Sequence, residues 1–507
     1  MRNLTVAAAV AAALASAAAS AAGNVDIYIS GASAQKNFWY ADLANIAGCA
    51  ASSITGNKWA GPNTLPFTKP ADLSYVQCTS TASAKGGIAS GVTVTFHYSA
   101  ELGSVWGVAN ALGAIVGAPY PVTHVFLANA GTCAPVPYVV ANATYTGGGG
   151  ANCGGALVAP TGQYDLYTTG GTDAMIGGNP AYVVTVQPDV DVADLEPGKF
   201  QFADNWPIAN AANTWAPPLY KALGIQAAGT APTVTQLNKI IAAKGASFVN
   251  GEVFAIITNF VGSGVTDPKS LSSNSLASIL QGTYTSWNQV PEIGSAGDPT
   301  PTAISLVRRD HGSGSQIAAS IAFTGTECGL PNYGGMAQDT GSGGPAVIAG
   351  STSAMRTIVN ATAGSIGYLS LTGNVPNLNE TDNYLLENID GAQPNAHNSA
   401  AGYYKFATQT WAYVNQKSPQ LTVANLLITD AGTATGLSAV LGNETVTKGS
   451  DNRFSTAAGA EVGAYPLPGI ASNTASTGNV NTLTNIPVAL ANNNGESCTV
   501  LGGTNGN

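Results

Sequence analysis

Apolar positions in this chain fall into short continuous runs, separated by stretches with helical spacing. Residues 24–30 (NVDIYIS) are an apolar run of strand length, and residues 33–47 follow with Phe38, Leu43 and Ile46 on one helical face. GVTVTFHY (91–98) alternates with period two, and VTHVFLA (122–128) predicts another strand. Further on, TVTQLNKIIAAK (233–244) has helical period, EVFAIITNFV (252–261) reads as a strand, and SLSSNSLASILQG (270–282) as a helix stopped by glycine. AISLVRR (303–309) predicts a strand and SQIAASIAF (315–323) a helix. SAMRTIVNATA (353–363) predicts a helix, SIGYLSL (365–371) a strand and QLTVANLLITDAG (420–432) a late helix. Strands interleaved with helices predict an α/β fold with mainly parallel sheets, because a parallel pair needs a crossover that a helix supplies. The Gly-rich stretch 144–155 and residues 335–352 predict loops. The last roughly forty residues, rich in Asn, Thr, Gly and Ser, predict loose surface structure.

The N-terminal pattern is of another kind. Met1 and Arg2 precede an Ala/Val/Leu run over 6–18, then the small residues Ala19-Ser20-Ala21-Ala22. That order predicts a secretory signal peptide over residues 1–22, cleaved near Ala22, since the run is too short to span a bilayer. The first cysteine is Cys49, so no lipid anchor is expected at the mature N-terminus. The product is expected in the periplasm or outside the cell, with no membrane insertion. About 485 of the 507 residues then remain, enough for two or more lobes. Only 9% of residues are charged and the net charge is -10, which argues against nucleic acid and anionic membrane as partners. An even set of cysteines in an oxidising compartment predicts disulfides, in sequence order Cys49–Cys78, Cys133–Cys153 and Cys328–Cys498. No CxxC occurs and no histidines pair at ligand spacing, so neither a metal nor another cofactor is expected.

The segment SLVRRDHGSGSQIAASIAF (305–323) carries the clearest chemistry. A strand runs into Arg308, Arg309 and Asp310, a Gly-Ser-Gly-Ser turn follows, and a helix begins. Such a helix start presents unpaired backbone N–H groups, and glycines at 312 and 314 allow close approach to a ligand. Ser313 and Ser315 add hydroxyls, and an arginine upstream binds an oxyanion in a fork. Together these features make an anion cradle. Taken by themselves they equally fit an ordinary strand-turn-helix with a serine cap and two surface arginines.

Five segments in the same order resemble the phosphate-binding proteins of bacterial phosphate-uptake transporters. They are SGASAQKNFW (30–39), YDLYTTGGTDAMIGG (164–178), SLASILQGTYTSWNQV (275–290), the Arg-x-x-Gly-Ser-Gly-Ser segment, and AGSIGYLSL (363–371). The resemblance covers roughly residues 24–372. It implies a two-lobed periplasmic-binding-protein type 2 fold, each lobe a mixed, mainly parallel sheet flanked by helices. It also implies a division into a first lobe from 23–185, a second from 186–372, and a return to the first lobe with a C-terminal extension over 373–507. On this likeness Arg309, three residues before Gly312, is the charged donor, and Arg308 is its neighbour. Ser313, Gly314 and Ser315 add hydroxyl and backbone donors, Ala32 and Ser33 add donors from the first lobe, and Ser104 matches the turn after the second strand. Asp173 is the carboxylate that accepts the proton phosphate still carries at neutral pH, and so turns away sulfate. His311 stands where the family carries an acidic residue, Glu101 lies in the second-strand loop, and Trp287 reads as a core residue.

The function implied is a solute-binding protein that delivers phosphate, or a related protonated oxyanion, to an ABC permease. The rival is a secreted structural or interaction protein that keeps the fold without transport, which the long insertions, low charge and Asn/Thr/Gly-rich tail also fit. An enzyme is not expected, since no GxSxG elbow, HExxH pair or Lys-bearing phosphate loop occurs.

Overall fold

The computed structural model describes residues 24–60, 72–100, 103–116, 123–126, 135–140, 143–148, 183–200, 237, 241, 243–293, 302–309, 313–324, 336–337, 345–349, 352–371, 382–400, 402–433, 436–437 and 464–466. The expected signal peptide, Asp173 with its segment 164–178, Glu101, His311 and the C-terminal tail beyond 466 lie outside these residues.

The strands are β1 (Val25–Gly31), β2 (Thr55–Ala60), β3 (Asp72–Thr79), β4 (Thr93–Ser99), β5 (Thr123–Phe126), β6 (Pro135–Val140), β7 (Ala143–Gly148), β8 (Val183–Val186), β9 (Val190–Ala193), β10 (Ala246–Asn259), β11 (Ser270–Leu271), β12 (Ser305–Arg309), β13 (Val347–Ala349), β14 (Ser365–Ser370), β15 (Leu385–Ile389), β16 (Ala407–Val414) and β17 (Ala464–Pro466). The α-helices are α1 (Lys36–Ala47), α2 (Ser104–Val116), α3 (Ser273–Leu280), α4 (Gly314–Ala319), α5 (Thr352–Ala361), α6 (Ala396–Ala400) and α7 (Leu421–Gly432).

Thirteen strands join in one sheet whose main path runs β13-β12-β14-β10-β16-β9-β1-β4-β3-β2. Each half has a parallel centre, β9-β1-β4 on one side and β14-β12-β13 on the other. The pairing is nevertheless more antiparallel than the sequence predicts. The cause is β10, which runs antiparallel to β14, β15, β16 and β17, together with the antiparallel edge β4-β3-β2. β10 is 14 residues long because it serves both halves: Ala246 to Val253 pair with β16, and Phe254 to Asn259 pair with β14. Neighbours on both edges and both faces leave it buried from Val249 onward, which is why its middle, Val253 to Ile257, is a continuous apolar run rather than an alternating one.

Two apolar cores flank the sheet. One gathers α1, α7 and the faces of β1, β4 and β9, with Phe38, Trp39, Leu43 and Ile46 fully shielded. The other gathers α2, α3, α5 and the faces of β10, β12 and β14. Trp287 sits in this second core as expected, its indole N–H donating to the Gly364 carbonyl at 2.8 Å. At ~25 cal/mol per Å2, a ring of this size contributes several kcal/mol to the second core. The Cys49–Cys78 disulfide is present and pins the end of α1 to β3. Cys133, Cys153, Cys328 and Cys498 lie outside the described residues.

Several elements depart from expectation. The helix over 315–323 is α4 followed by a π turn over Ser320–Thr324. Part of the expected 144–155 loop is strand β7, paired with β6, and part of the expected 335–352 loop is β13, paired with β12. Short partner-dependent strands of this kind take their structure from the neighbour, not from local propensity.

A candidate oxyanion-binding site

The strand-to-helix junctions of both halves converge on one buried point. Arg309 closes β12 and is 2% exposed. Its backbone N–H donates to the Tyr368 hydroxyl at 3.0 Å, which fixes the end of the strand. Its guanidinium is aimed by two further bonds, Nε to the Ala349 carbonyl at 3.0 Å and Nη1 to Thr352 Oγ1 at 3.1 Å. Nη2 then reaches across to Ser33 Oγ at 3.4 Å. Arg308 is equally buried but turns its Nη1 to the Arg309 carbonyl, so of the two arginines it is Arg309 that faces Ser33.

Ser33 stands where β1 gives way to a single 3-10 turn before α1. Gly31 makes this exit possible: its φ is +121°, and a Cβ there would lie 1.9 Å from the Val192 carbonyl oxygen. The Ala32 N–H donates to the same carbonyl at 3.1 Å, so the donor expected from Ala32 is engaged within the fold.

Across from Arg309 stands a carboxyl that the sequence did not single out. Asp194 follows β9 directly and is 2% exposed. Its backbone N–H donates to Ser104 Oγ at 3.3 Å, and its carbonyl accepts from Thr408 Oγ1 at 2.8 Å, so the residue is held at both ends. Ser315 Oγ lies 3.5 Å from Asp194 Oδ2, and the Ser315 backbone N–H is also directed at this carboxyl. Asp194 Oδ1 is buried with no hydrogen-bond partner among the described residues. Gly314 fits into the remaining space. A Cβ there would lie 2.6 Å from Asp194 Cβ, 2.7 Å from Ser104 Oγ and 2.8 Å from Asp194 Oδ2.

The electrostatics follow from this placement. Burial pushes Asp194 up to about 6, against the pull of the Arg309 charge and of hydrogen bonds from Ser104 and Ser315. Glu252, fully buried on β10, lies beside it. Burial raises its carboxyl well above the usual range, and the Asp194 charge raises it further. Gln35 Nε2 donates to Glu252 Oε2 at 3.3 Å, and Ser370 Oγ donates to Oε1.

Ser33, Ser104, Arg309, Gly314 and Ser315 are thus brought together, with Ala32 and Ser313 as their immediate neighbours. Ser313 is the N-cap of α4 by backbone position, yet its hydroxyl makes no capping bond. Asp310, His311 and Gly312 lie outside the described residues. Sequence reasoning missed Asp194, Glu252, Gln35 and Thr352. A signal existed for the first two: an acid closing the apolar VDVA strand, and an acid opening the apolar run of β10. Among the described residues the group is donor-rich, with the Arg309 guanidinium and the hydroxyls of Ser33, Ser104 and Ser315 around the Asp194 carboxyl. Such a set holds a small oxyanion, provided the anion itself brings a hydrogen for the carboxyl.

Among the described residues no helix is long and apolar enough to cross a membrane, and no cluster of three metal-ligating side chains occurs. No curated protein matches the chain. Among solved structures it is similar to a Clostridium perfringens protein with bound phosphate, at TM-score 0.41 and 11% identity over 83% of this chain and 97% of that one. An ABC-type phosphate transport receptor from Vibrio cholerae aligns at TM-score 0.26 and 18% identity, over 38% of this chain and 73% of the other. A phosphate-binding protein from Stenotrophomonas maltophilia aligns at TM-score 0.27 and 16% identity, over 44% and 72%. Residues 235–440, which carry β10, Arg309, Gly314, Ser315 and β16, match the family model of a PBP superfamily domain.

Proposed function

We propose that this chain is an exported solute-binding protein that captures phosphate, or a similar protonated oxyanion, between two lobes for ABC-type uptake. The first lobe takes β1 to β4, β9, α1, α2 and α7; the second takes β12 to β14 and α3 to α5; β10 and β16 join them. Arg309, Ser33, Ser104, Ser313 and Ser315 donate to the anion, and the glycine at 314 lets the backbone approach it. Asp194 reads the ligand's proton, the role that the family likeness implied for Asp173.

The observation that carries this reading is the placement of Asp194 among donors. A carboxylate facing an anion repels it unless the anion carries a hydrogen to donate. Phosphate does so at neutral pH and sulfate does not, so one buried carboxyl sets the choice. The test is calorimetric titration of the mature protein with phosphate and then sulfate at pH 7. Phosphate binds and sulfate does not. Arg309→Ala loses at least about a hundredfold in affinity, since two charge-assisted bonds are worth roughly 3 kcal/mol. Asp194→Asn loses about tenfold for phosphate. No heat with phosphate from folded protein freed of carried-over ligand removes the proposal.

A further inference from the structure

The site contains a second acid for which an anion receptor has no evident need. Glu252 is fully buried at the point where β10 changes partners, one residue before the chain passes from β16 to β14. It touches both lobes. Gln35, just past Ser33 in the first lobe, donates to Oε2, and Ser370, at the end of β14 in the second, donates to Oε1. Thr408, the register partner of Glu252 on β16, donates to the Asp194 carbonyl at 2.8 Å, which sets the two acids side by side. We propose that Glu252 is a positioning residue of the oxyanion site: its carboxyl is protonated and donates that hydrogen to Asp194, leaving Asp194 the single ionised acceptor that meets the ligand. The inference rests on the oxyanion site proposed above and deepens it.

Three states of the pair can be weighed. Two carboxylates side by side would put two negative charges in a dry site beside a single nearby guanidinium, an arrangement that like-charge repulsion and desolvation both oppose. Two neutral acids would leave Asp194 offering a hydrogen where the anion's own hydrogen needs a lone pair. One shared proton leaves a single charge facing Arg309. The location of that proton follows from the surroundings. Among the described residues, Glu252 accepts from Gln35 in the turn before α1 and from Ser370 on β14 and has Thr408 as its register partner on β16, all uncharged, with Asp194 as the acid beside it. Asp194 has Arg309 bearing on it from β12 and the donors of Ser104 and Ser315 besides. The residue with the cation keeps the charge, and the other keeps the proton. The stronger upward push on Glu252 agrees with that assignment. Four lone-pair sites on an ionised carboxylate leave Asp194 room for both the Glu252 hydrogen and the ligand's.

The test uses the mature protein with two variants. Glu252→Leu removes the donor and lowers phosphate affinity about tenfold, the worth of one hydrogen bond to a charged group, and moves the acid limb of the binding profile to higher pH. Glu252→Gln keeps a donor without a charge and restores affinity to within about threefold of the parent. Infrared difference spectra at pH 7, parent minus Glu252→Gln, show the carbonyl stretch of a protonated carboxylic acid. The proposal is overturned if that band is missing, or if folded Glu252→Gln binds as poorly as Glu252→Leu. The infrared measurement needs no ligand. A protein that fails to bind phosphate but shows the band therefore refutes the function and not the proton assignment. Should Glu252→Leu fail to fold, the band alone decides.

Discussion

A single methyl group at position 314 provides the sharpest test of the site. The ideal Cβ of Gly314→Ala would stand 2.6 Å from Asp194 Cβ and 2.7 Å from Ser104 Oγ, where ordinary contact begins near 3.4 Å. Something must therefore move by about 0.8 Å. The serine hydroxyl can rotate away, but Asp194 Cβ cannot, because its backbone is tied to Ser104 and Thr408 on either side. The displacement then falls on the separation between α4, which carries residue 314, and the β9–α2 edge, which carries residues 194 and 104. Bonds that bridge this gap are already long, 3.4 Å from Arg309 to Ser33 and 3.5 Å from Ser315 to Asp194. Widening them by most of an ångström takes both past hydrogen-bond length. Losing two such contacts around a charged ligand is worth roughly 3 kcal/mol, or about a hundredfold in affinity. Calorimetry gives the affinity, and small-angle scattering with saturating phosphate should show a variant that stays more open than the parent. Binding within threefold of the parent, with a parental scattering curve, would refute the close approach described here.

Other consequences are open to measurement. Burial lifts Asp42 to about 8, with an Asn45 bond pulling it back. A folded value above the unfolded one means stability falls as pH rises from about 4 to about 8, so Asp42→Asn raises the unfolding midpoint at pH 8.5 and leaves it nearly unchanged at pH 4. The gain is bounded above by about 6 kcal/mol. Tyr368→Phe removes the hydroxyl that accepts from the Arg309 N–H and donates to Gln316, leaving a buried amide unsatisfied. Urea unfolding should show a loss of about 1–3 kcal/mol, with weakened phosphate binding in the variant. Replacing Cys49 and Cys78 by alanine opens a loop with 29 residues of separation and costs about 3–4 kcal/mol, while phosphate affinity stays at the parental value because the bridge lies beyond the far end of α1 from Ser33.

The sequence made some parts of this molecule plain and hid others for identifiable reasons. β1, β4, β10, β12 and β14 carry strand-length apolar or alternating patterns, and each was legible from its own residues. β2, β7 and β13 were not, because a short strand beside a preformed edge needs little propensity of its own. Arg309 and the Gly314–Ser315 turn stood out because their chemistry is compressed into a few adjacent positions. Asp194 did not, since what makes it a site residue is β9 lying beside β1, a pairing between residues 161 positions apart that no local pattern announces. The motif likeness pointed instead to Asp173, which shares the Thr-Asp-Ala wording and lies outside the described residues. Glu252 was visible only as an oddity, an acid in an apolar strand.

The close seat of β9 has one more consequence. A Cβ at Gly31 or Gly107 would lie 1.9 Å or 2.3 Å from the Val192 carbonyl oxygen, so β9 is clamped between the turn after β1 and helix α2. Ser104 and Asp194 are 90 positions apart in the chain and yet share a hydrogen bond, because both are fixed against that clamp and not against each other's sequence neighbours. The meeting of Ser104 and Asp194 is therefore set by the seat of β9 and not by the number of residues between them. A substitution at Val192 or at either glycine would thus move residues 104 and 194 together, although they are far apart in the chain.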